Sequence, residues 1–172
     1  MKATDVPVTP GVRALRAAGV EFTPHVFDYV DRGGARHSAA ALGVPEHSVV
    51  KTLVMEAKGR EGAATPLLVL MHGDREVSTR ELARQIGARE VVPSTAARVE
   101  SHTGYVPGGV SPFGTRKPLP VYVEESVLAL DAVYLNGGKR GFLVRIAPED
   151  LKRVLSPTPV RVAIPRRDGS AG

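Results

Sequence analysis

The stretch GYVPGGVSPFGTRKPLP, residues 104–120, carries four glycines and four prolines. That density excludes a helix or an uninterrupted strand and predicts a loop held in one unusual backbone shape. The adjacent glycines Gly108 and Gly109 would let a ligand approach bare backbone, with N–H groups able to point at an oxyanion. A tight structural turn accounts for the same composition. From Gly109 the loop reads G-x-x-x-x-G-T-R, whereas a phosphate-binding Walker loop needs Lys and then Ser or Thr after the second glycine. It also reads G-x-S-x-x-G, one residue longer than a nucleophile elbow. A P-loop kinase and an α/β-hydrolase are thereby disfavoured.

Lys51 lies in SVVKTLVM, where strand alternation puts it on the face of Val49, Leu53 and Met55. A lysine there either reaches the rim on its long stem or is held in a pocket for work, and the rim is the simpler reading. NGGKRG, residues 136–141, is a second Gly-Gly beside positive charge. It reads as a solvated hairpin tip, or as a phosphate contact if it lies beside the first loop. The histidines His25, His37, His47, His72 and His102 have no metal-binding spacing, so no metal or other cofactor is expected. His102 is near the glycine loop but has no visible orienting partner.

The elements that must position these residues follow from local signals. Thr9 and Pro10 open a helix that stops at Gly19, and VEFTPHVFDYV alternates as a strand through Phe22 and Phe27, with Pro24 marking an edge or bulge. HSAAALGVP is a short helix ending at Gly43. SVVKTLVMEA and PLLVLMHG bracket the turn KGREGAAT as an antiparallel hairpin. Ser78 and Glu81 form a capping box over Leu82 and Ile86, with Gly87 ending that helix. A further helix is entered at Pro93 and Ser94, LPVYVEES is a strand, AVYLNGGKRGFLVRI is a β-hairpin, and APEDLKRVL is a closing helix. Strands and helices without regular βαβ alternation predict a mixed α/β, α+β-like fold.

At 172 residues the chain is expected to be one domain over 1–172, with loose ends at 1–8 and 164–172. No apolar run suggests a membrane span or a signal peptide, and a cytoplasmic protein without membrane partners is expected. The absence of cysteine excludes disulfides, thiolate zinc sites and a cysteine nucleophile. A net charge of +5 mildly favours a polyanionic partner, with positive residues spread along the chain rather than gathered in a tail.

TPGVRAL, VVKTLV, SHTGYVPGGVSPFG and GGKRG, in that order over residues 9–155, resemble the YbaK family of aminoacyl-tRNA deacylases, related to the editing domain of bacterial prolyl-tRNA synthetases. The resemblance implies a partly rolled mixed β-sheet with helices around it, and hydrolysis of the ester joining an amino acid to the 3′-terminal adenosine of a mischarged tRNA. Cys-tRNA(Pro) is the implied substrate, with the CCA end and acceptor stem as contacts and prolyl-tRNA synthetase as a possible partner; no DNA is expected. It implies that Lys51 contacts substrate near the terminal nucleotide and that Gly108 and Gly109 lie against the aminoacyl group. Thr52, Phe27, Tyr105, Ser111, Pro112, Asn136, Gly137, Gly138 and Lys139 are the further expected substrate or tRNA contacts, with the terminal base stacking on Tyr105 or Phe113. An aminoacyl ester is already activated, so positioning and charge stabilisation suffice without a triad. The resemblance adds that a cysteinyl thiol can attack its own carbonyl.

Cys-specific members often carry Tyr, Ser and Asp where this chain has Phe27, Asn136 and Leu143, which puts the amino acid preference at issue; alanine- or serine-type substrates are the alternative. Two rival readings stand beside this one. A non-catalytic module would bind tRNA 3′ ends without turnover. A small-molecule esterase would use Ser111 as nucleophile and Lys51 as base.

Overall fold

The computed structural model describes residues 5–59 and 61–167. Helix α1 (Pro10–Ala17) begins where the Thr9 hydroxyl accepts from the Val12 N–H at 3.0 Å. Strand β1 (Thr23–Val26) and helix α2 (Gly34–Leu42) follow, with Gly43 in the left-handed conformation that stops α2. Strands β2 (Val50–Lys58), β3 (Ala64–His72) and β4 (Arg75–Val77) lead to α3 (Thr79–Ile86), β5 (Glu90–Pro93) and α4 (Ala96–Thr103). The chain continues through β6 (Val121–Glu124), β7 (Val133–Asn136), β8 (Phe142–Ile146) and α5 (Pro148–Leu155), then β9 (Thr158–Val160) and β10 (Ala163–Pro165).

The central sheet has the order β5-β2-β3-β6-β9. β2 runs antiparallel to β3 and β5, while β3–β6 and β6–β9 are parallel pairs. A second, antiparallel sheet has the order β1-β8-β7, and a bridge from Val49 to Tyr134 carries the first sheet into it. The result is a mixed, partly rolled sheet. One core joins Val50, Leu70 and Val123 of the central sheet to Leu135, Phe142 and Val144 of the second, closed by Val12 and Leu15 of α1. The reverse face packs Met55, Val69 and Met71 against Leu82 of α3. A fully buried leucine contributes about 1.5–3 kcal/mol, so these two layers hold the strand ends that carry the site.

Several local expectations are refined. β1 spans only Thr23–Val26, leaving Phe22 and Phe27 outside it; it pairs with β8 alone, consistent with Pro24 on an edge. Ser78 caps α3 by accepting from the Glu81 N–H at 3.2 Å, but the Glu81 carboxylate turns to Arg84 and Gln85 instead of closing the box. Thr95, rather than Ser94, caps α4, because Glu90–Pro93 is a strand paired with β2. Residues 164–166 are not loose: Ile164 and Pro165 pair with β4, and the Arg166 guanidinium bonds to the Gly73 carbonyl and to Glu46. Val6 packs on the main core. Of the expected loose ends, residues 1–4 and 168–172 lie outside the described residues. No helix among the described residues is long and apolar enough to cross a membrane.

Candidate active site

A cavity of about 410 Å³ lies where β2, the segment before α2, the glycine loop and the β7–β8 hairpin meet. Phe27, Tyr29, Val30 and Arg32 come from the segment before α2, and Val49, Lys51, Thr52 and Leu53 from β2 and its approach. Pro107, Gly108 and Val110 come from the glycine loop, and Asn136, Arg140 and Leu143 from the hairpin. Its volume falls within the range of about 300–1,000 Å³ common for small-ligand sites.

Asn136 ties the two loops together. Its side-chain oxygen accepts from the N–H groups of Gly138 at 2.7 Å and Lys139 at 3.1 Å, and its amide donates to the Gly108 carbonyl at 3.1 Å. Arg140 adds a second tie, donating from Nε to the Pro107 carbonyl at 2.9 Å. Gly109 donates to the Val106 carbonyl at 2.9 Å, so its N–H closes the turn; the Gly108 N–H has no partner among the described residues. Gly108 sits at φ +85°, a conformation side chains rarely adopt.

Lys51 pairs with Met71 in the β2–β3 ladder, and its ammonium donates to the Arg75 carbonyl at 2.6 Å. Burial, and then the Arg166 charge, lower its pKa from the ordinary lysine value, against the opposing pull of Glu76, Glu46 and Asp74. Neighbouring Thr52 has its hydroxyl oxygen buried without a hydrogen-bond partner. Such an orphan costs about 1–3 kcal/mol unless something satisfies it.

The cavity therefore gathers Lys51, Thr52, Phe27, Gly108 and Asn136 of the expected residues and leaves the others outside its lining. Tyr105 is only 4% exposed, with its hydroxyl donating to the Phe113 carbonyl at 2.6 Å, and burial pushes its pKa up to about 12. Phe113 is likewise buried, so neither ring presents a face for a base to stack on. Ser111 is fully buried, its oxygen accepting from the Phe113 N–H, which corrects its reading as a substrate contact and removes it as an esterase nucleophile. Pro112 is buried beside it. Gly137 lies on the Phe142 ring and Gly138 against Tyr105 and Thr9, so both shape the hairpin inward instead of lining the cavity. Lys139 is exposed and Gly109 buried, and neither lines the cavity. His102 lies 3.6 Å from Glu56, itself bonded to Arg98, and also stands outside.

Sequence reasoning missed Tyr29, Arg32 and the structural use of Arg140, whose convergence depends on tertiary contacts without a local signature. Among the described residues His47, His72 and Asp74 bring possible ligand atoms within 4.8 Å of one another. The two imidazoles stack at 3.6 Å and 7°, so their in-plane lone pairs run side by side rather than converge on an ion. His72 also commits both nitrogens, to the His47 carbonyl and the Ser126 hydroxyl, at 2.7 Å each.

Fold and cavity together define an α/β domain whose pocket combines glycine backbone, a lysine and an unsatisfied hydroxyl. The chain belongs to the aminoacyl-tRNA editing domain family, whose sequence model matches residues 33–154. It is 31% identical over 142 residues to EbsC of Enterococcus faecalis, provisionally named a Cys-tRNA(Pro)/Cys-tRNA(Cys) deacylase, covering 82% of this chain and 84% of that one. It is 32% identical over 145 residues to the proline–tRNA ligase of Verminephrobacter eiseniae, covering 80% of this chain and 24% of the ligase. A crystal structure provisionally described as a trans-editing enzyme for prolyl tRNA synthetase superposes with a TM-score of 0.76 at 25% identity, covering 92% of this chain and 99% of that one. The family and the mixed, partly rolled sheet expected from the sequence are both borne out.

Proposed function

We propose that the protein is a trans-acting deacylase that hydrolyses the ester between a small amino acid and the 3′-terminal adenosine of mischarged tRNA, with Cys-tRNA(Pro) the leading substrate. Family membership supports the reaction class, and the similarity to a protein named for Cys-tRNA(Pro)/Cys-tRNA(Cys) supports cysteine. Proline–tRNA ligases with a similar segment support prolyl-tRNA synthetase as partner. The observation that carries the reading is that Lys51 and Thr52 line a single cavity with Gly108, from a distant part of the sequence. The net charge of +5 suits a CCA end entering that cavity and an acceptor stem resting on the surface. Such a substrate carries a cytoplasmic location with it.

In hydrolysis the water oxygen bonds to the carbonyl carbon, the ester C–O bond breaks, and the ribose hydroxyl regains a proton. Charge builds on the carbonyl oxygen, and the uncommitted Gly108 N–H is the backbone donor available to it. One such donor is worth about 3–4 kcal/mol. Lys51 anchors the terminal phosphate or sugar, and the Thr52 hydroxyl gains the partner it lacks. A second reading, alanine or another small amino acid, is favoured by Leu143, which is 4% exposed and lines the cavity beside Phe27 as an apolar wall.

A deacylation panel over cysteinyl-, alanyl-, seryl- and prolyl-tRNA tests both readings. Release of cysteine is expected for the first reading and of alanine for the second. Lys51→Ala is expected to lower the rate by about 100-fold or more, the scale for loss of a stabilising contact in a transition state. Full activity in that variant removes Lys51 from the site, and no release from any substrate leaves only a binding module.

A further inference from the structure

The cavity carries a stacking surface that neither the sequence nor the family assignment points to. Tyr29 lines it yet is 40% exposed, and the Arg140 guanidinium lies 5.2 Å from its ring centroid. That guanidinium is itself pinned, through Nε, to the Pro107 carbonyl on the glycine loop. A methyl group placed on Gly108 would stand 3.1 Å from the Tyr29 hydroxyl, so the ring and the loop are in close register. Val30 and Val106, 48% and 42% exposed, add apolar surface from the same two segments. Arg32 lines the same cavity and brings a further positive charge.

An aromatic ring held against a fixed guanidinium has lost much of its rotamer freedom before any ligand arrives, and it still presents surface to solvent. A flat, pre-ordered apolar face flanked by cationic side chains suits an unpaired nucleotide, because every base has a π-face and its phosphate is an anion. Tyr105 and Phe113 cannot serve, since both are buried.

We propose that Tyr29, seated on Arg140, stacks the base of the nucleotide immediately preceding the terminal adenosine, and that Arg32 meets the phosphate joining the two. This rests on the proposed function for the identity of the RNA. The cavity takes the aminoacylated terminus, and Tyr29, at its exposed edge, takes the next base along the strand.

The test is a binding titration of the full protein with an RNA hairpin ending in an unpaired ACCA, with a fluorescent cytidine analogue as the penultimate nucleotide. The wild type is expected to quench the analogue on binding. Tyr29→Ala should abolish the quench and weaken binding about tenfold, the scale for one base–aromatic stack. Tyr29→Phe should preserve both, because the ring and not the hydroxyl does the stacking. An unquenched analogue with the wild type, a quench that survives Tyr29→Ala, or a Tyr29→Phe variant as weak as Tyr29→Ala would each overturn the proposal. Quenching that depends on Tyr29 in a protein that deacylates none of the four aminoacyl-tRNAs would leave this stack standing and remove the hydrolytic reading.

Discussion

Gly108-Gly109 and Gly137-Gly138 are the same dipeptide in two loops that Asn136 ties together, yet they meet different surroundings. Gly108 is exposed on the cavity, at φ +85°, with an uncommitted N–H. Gly138, at φ +108°, is wedged against Tyr105 and Thr9, while Gly137 lies under the Phe142 ring. In the first pair Gly108 leaves backbone bare toward the cavity while Gly109 is buried; the second pair lets two core aromatics approach the main chain. Composition makes them equal, and their neighbours decide which one packs into the fold and which one opens on the cavity.

Adding a methyl group to each pair should separate these roles. At Gly138 the new carbon would stand 2.8 Å from the Tyr105 ring, in a backbone conformation hostile to side chains. Overpacking of about 1–3 kcal/mol and a left-handed penalty of about 1–2 kcal/mol predict that Gly138→Ala loses roughly 3 kcal/mol. Thermal denaturation should register a fall of about 6–12 °C, at roughly 2–4 °C per kcal/mol for a chain of this size. At Gly108 the nearest atom is the Tyr29 hydroxyl at 3.1 Å, a contact relieved by a shift of a few tenths of an ångström, so the left-handed penalty of about 1–2 kcal/mol dominates. Gly108→Ala is expected to melt only a few degrees early while losing at least about tenfold in kcat/KM for deacylation. Equal melting losses in the two variants would erase the distinction.

Asn136 offers a finer cut between the loops. Asn136→Asp keeps an acceptor for the Gly138 and Lys139 N–H groups but sets a carboxylate oxygen against the Gly108 carbonyl in place of a donor. The expected cost is about 1–2 kcal/mol, concentrated on one side of the clasp. Hydrogen exchange should quicken at Gly109, whose N–H closes the turn onto the Val106 carbonyl, and hold steady at 137–139. Quickening of both segments together would mean the loops form one unit rather than two.

How much of this was legible in the sequence depended on the range of the causes. Turn and cap chemistry is local, so Thr9, Gly43, Ser78 and the NGG hairpin read correctly from neighbouring residues. β9 and β10 have three residues each, too short to alternate, and exist because β6 and β4 offer them edges. Tyr105 and Phe113 sit in a glycine- and proline-rich loop that suggests exposure, but the loop folds inward and each satisfies the other's polar group. Lys51, Thr52 and Gly108 were nameable as candidates and line the cavity, whereas the seating of Tyr29 on Arg140 joins two segments far apart in the chain and leaves no local pattern. Motifs marked where chemistry could be; only packing separated residues that face the cavity from those that build its walls.

The smallest expected effect lies away from both glycine pairs and serves as their control. His72, at the end of β3, is 1% exposed; its Nδ1 donates to the His47 carbonyl, so in the neutral ring Nε2 accepts from the Ser126 hydroxyl. Burial lowers its pKa below the ordinary 6.5, outweighing the hydrogen bond to His47 and the Asp74 and Glu124 charges that favour the proton. The unfolded chain therefore takes up this proton first as pH falls. Its contribution to stability is full above pH 6.5 and is lost as pH drops from there through the lower folded value. One proton limits the slope to about 1.4 kcal/mol per pH unit. Melting temperature should decline between about pH 7 and pH 5 in the wild type, and His72→Gln, which does not titrate there, should flatten the decline. Gly108→Ala and Gly138→Ala should keep the wild-type slope despite their different melting points. A change of slope in either would mean that the glycine pairs and the imidazole stack are coupled.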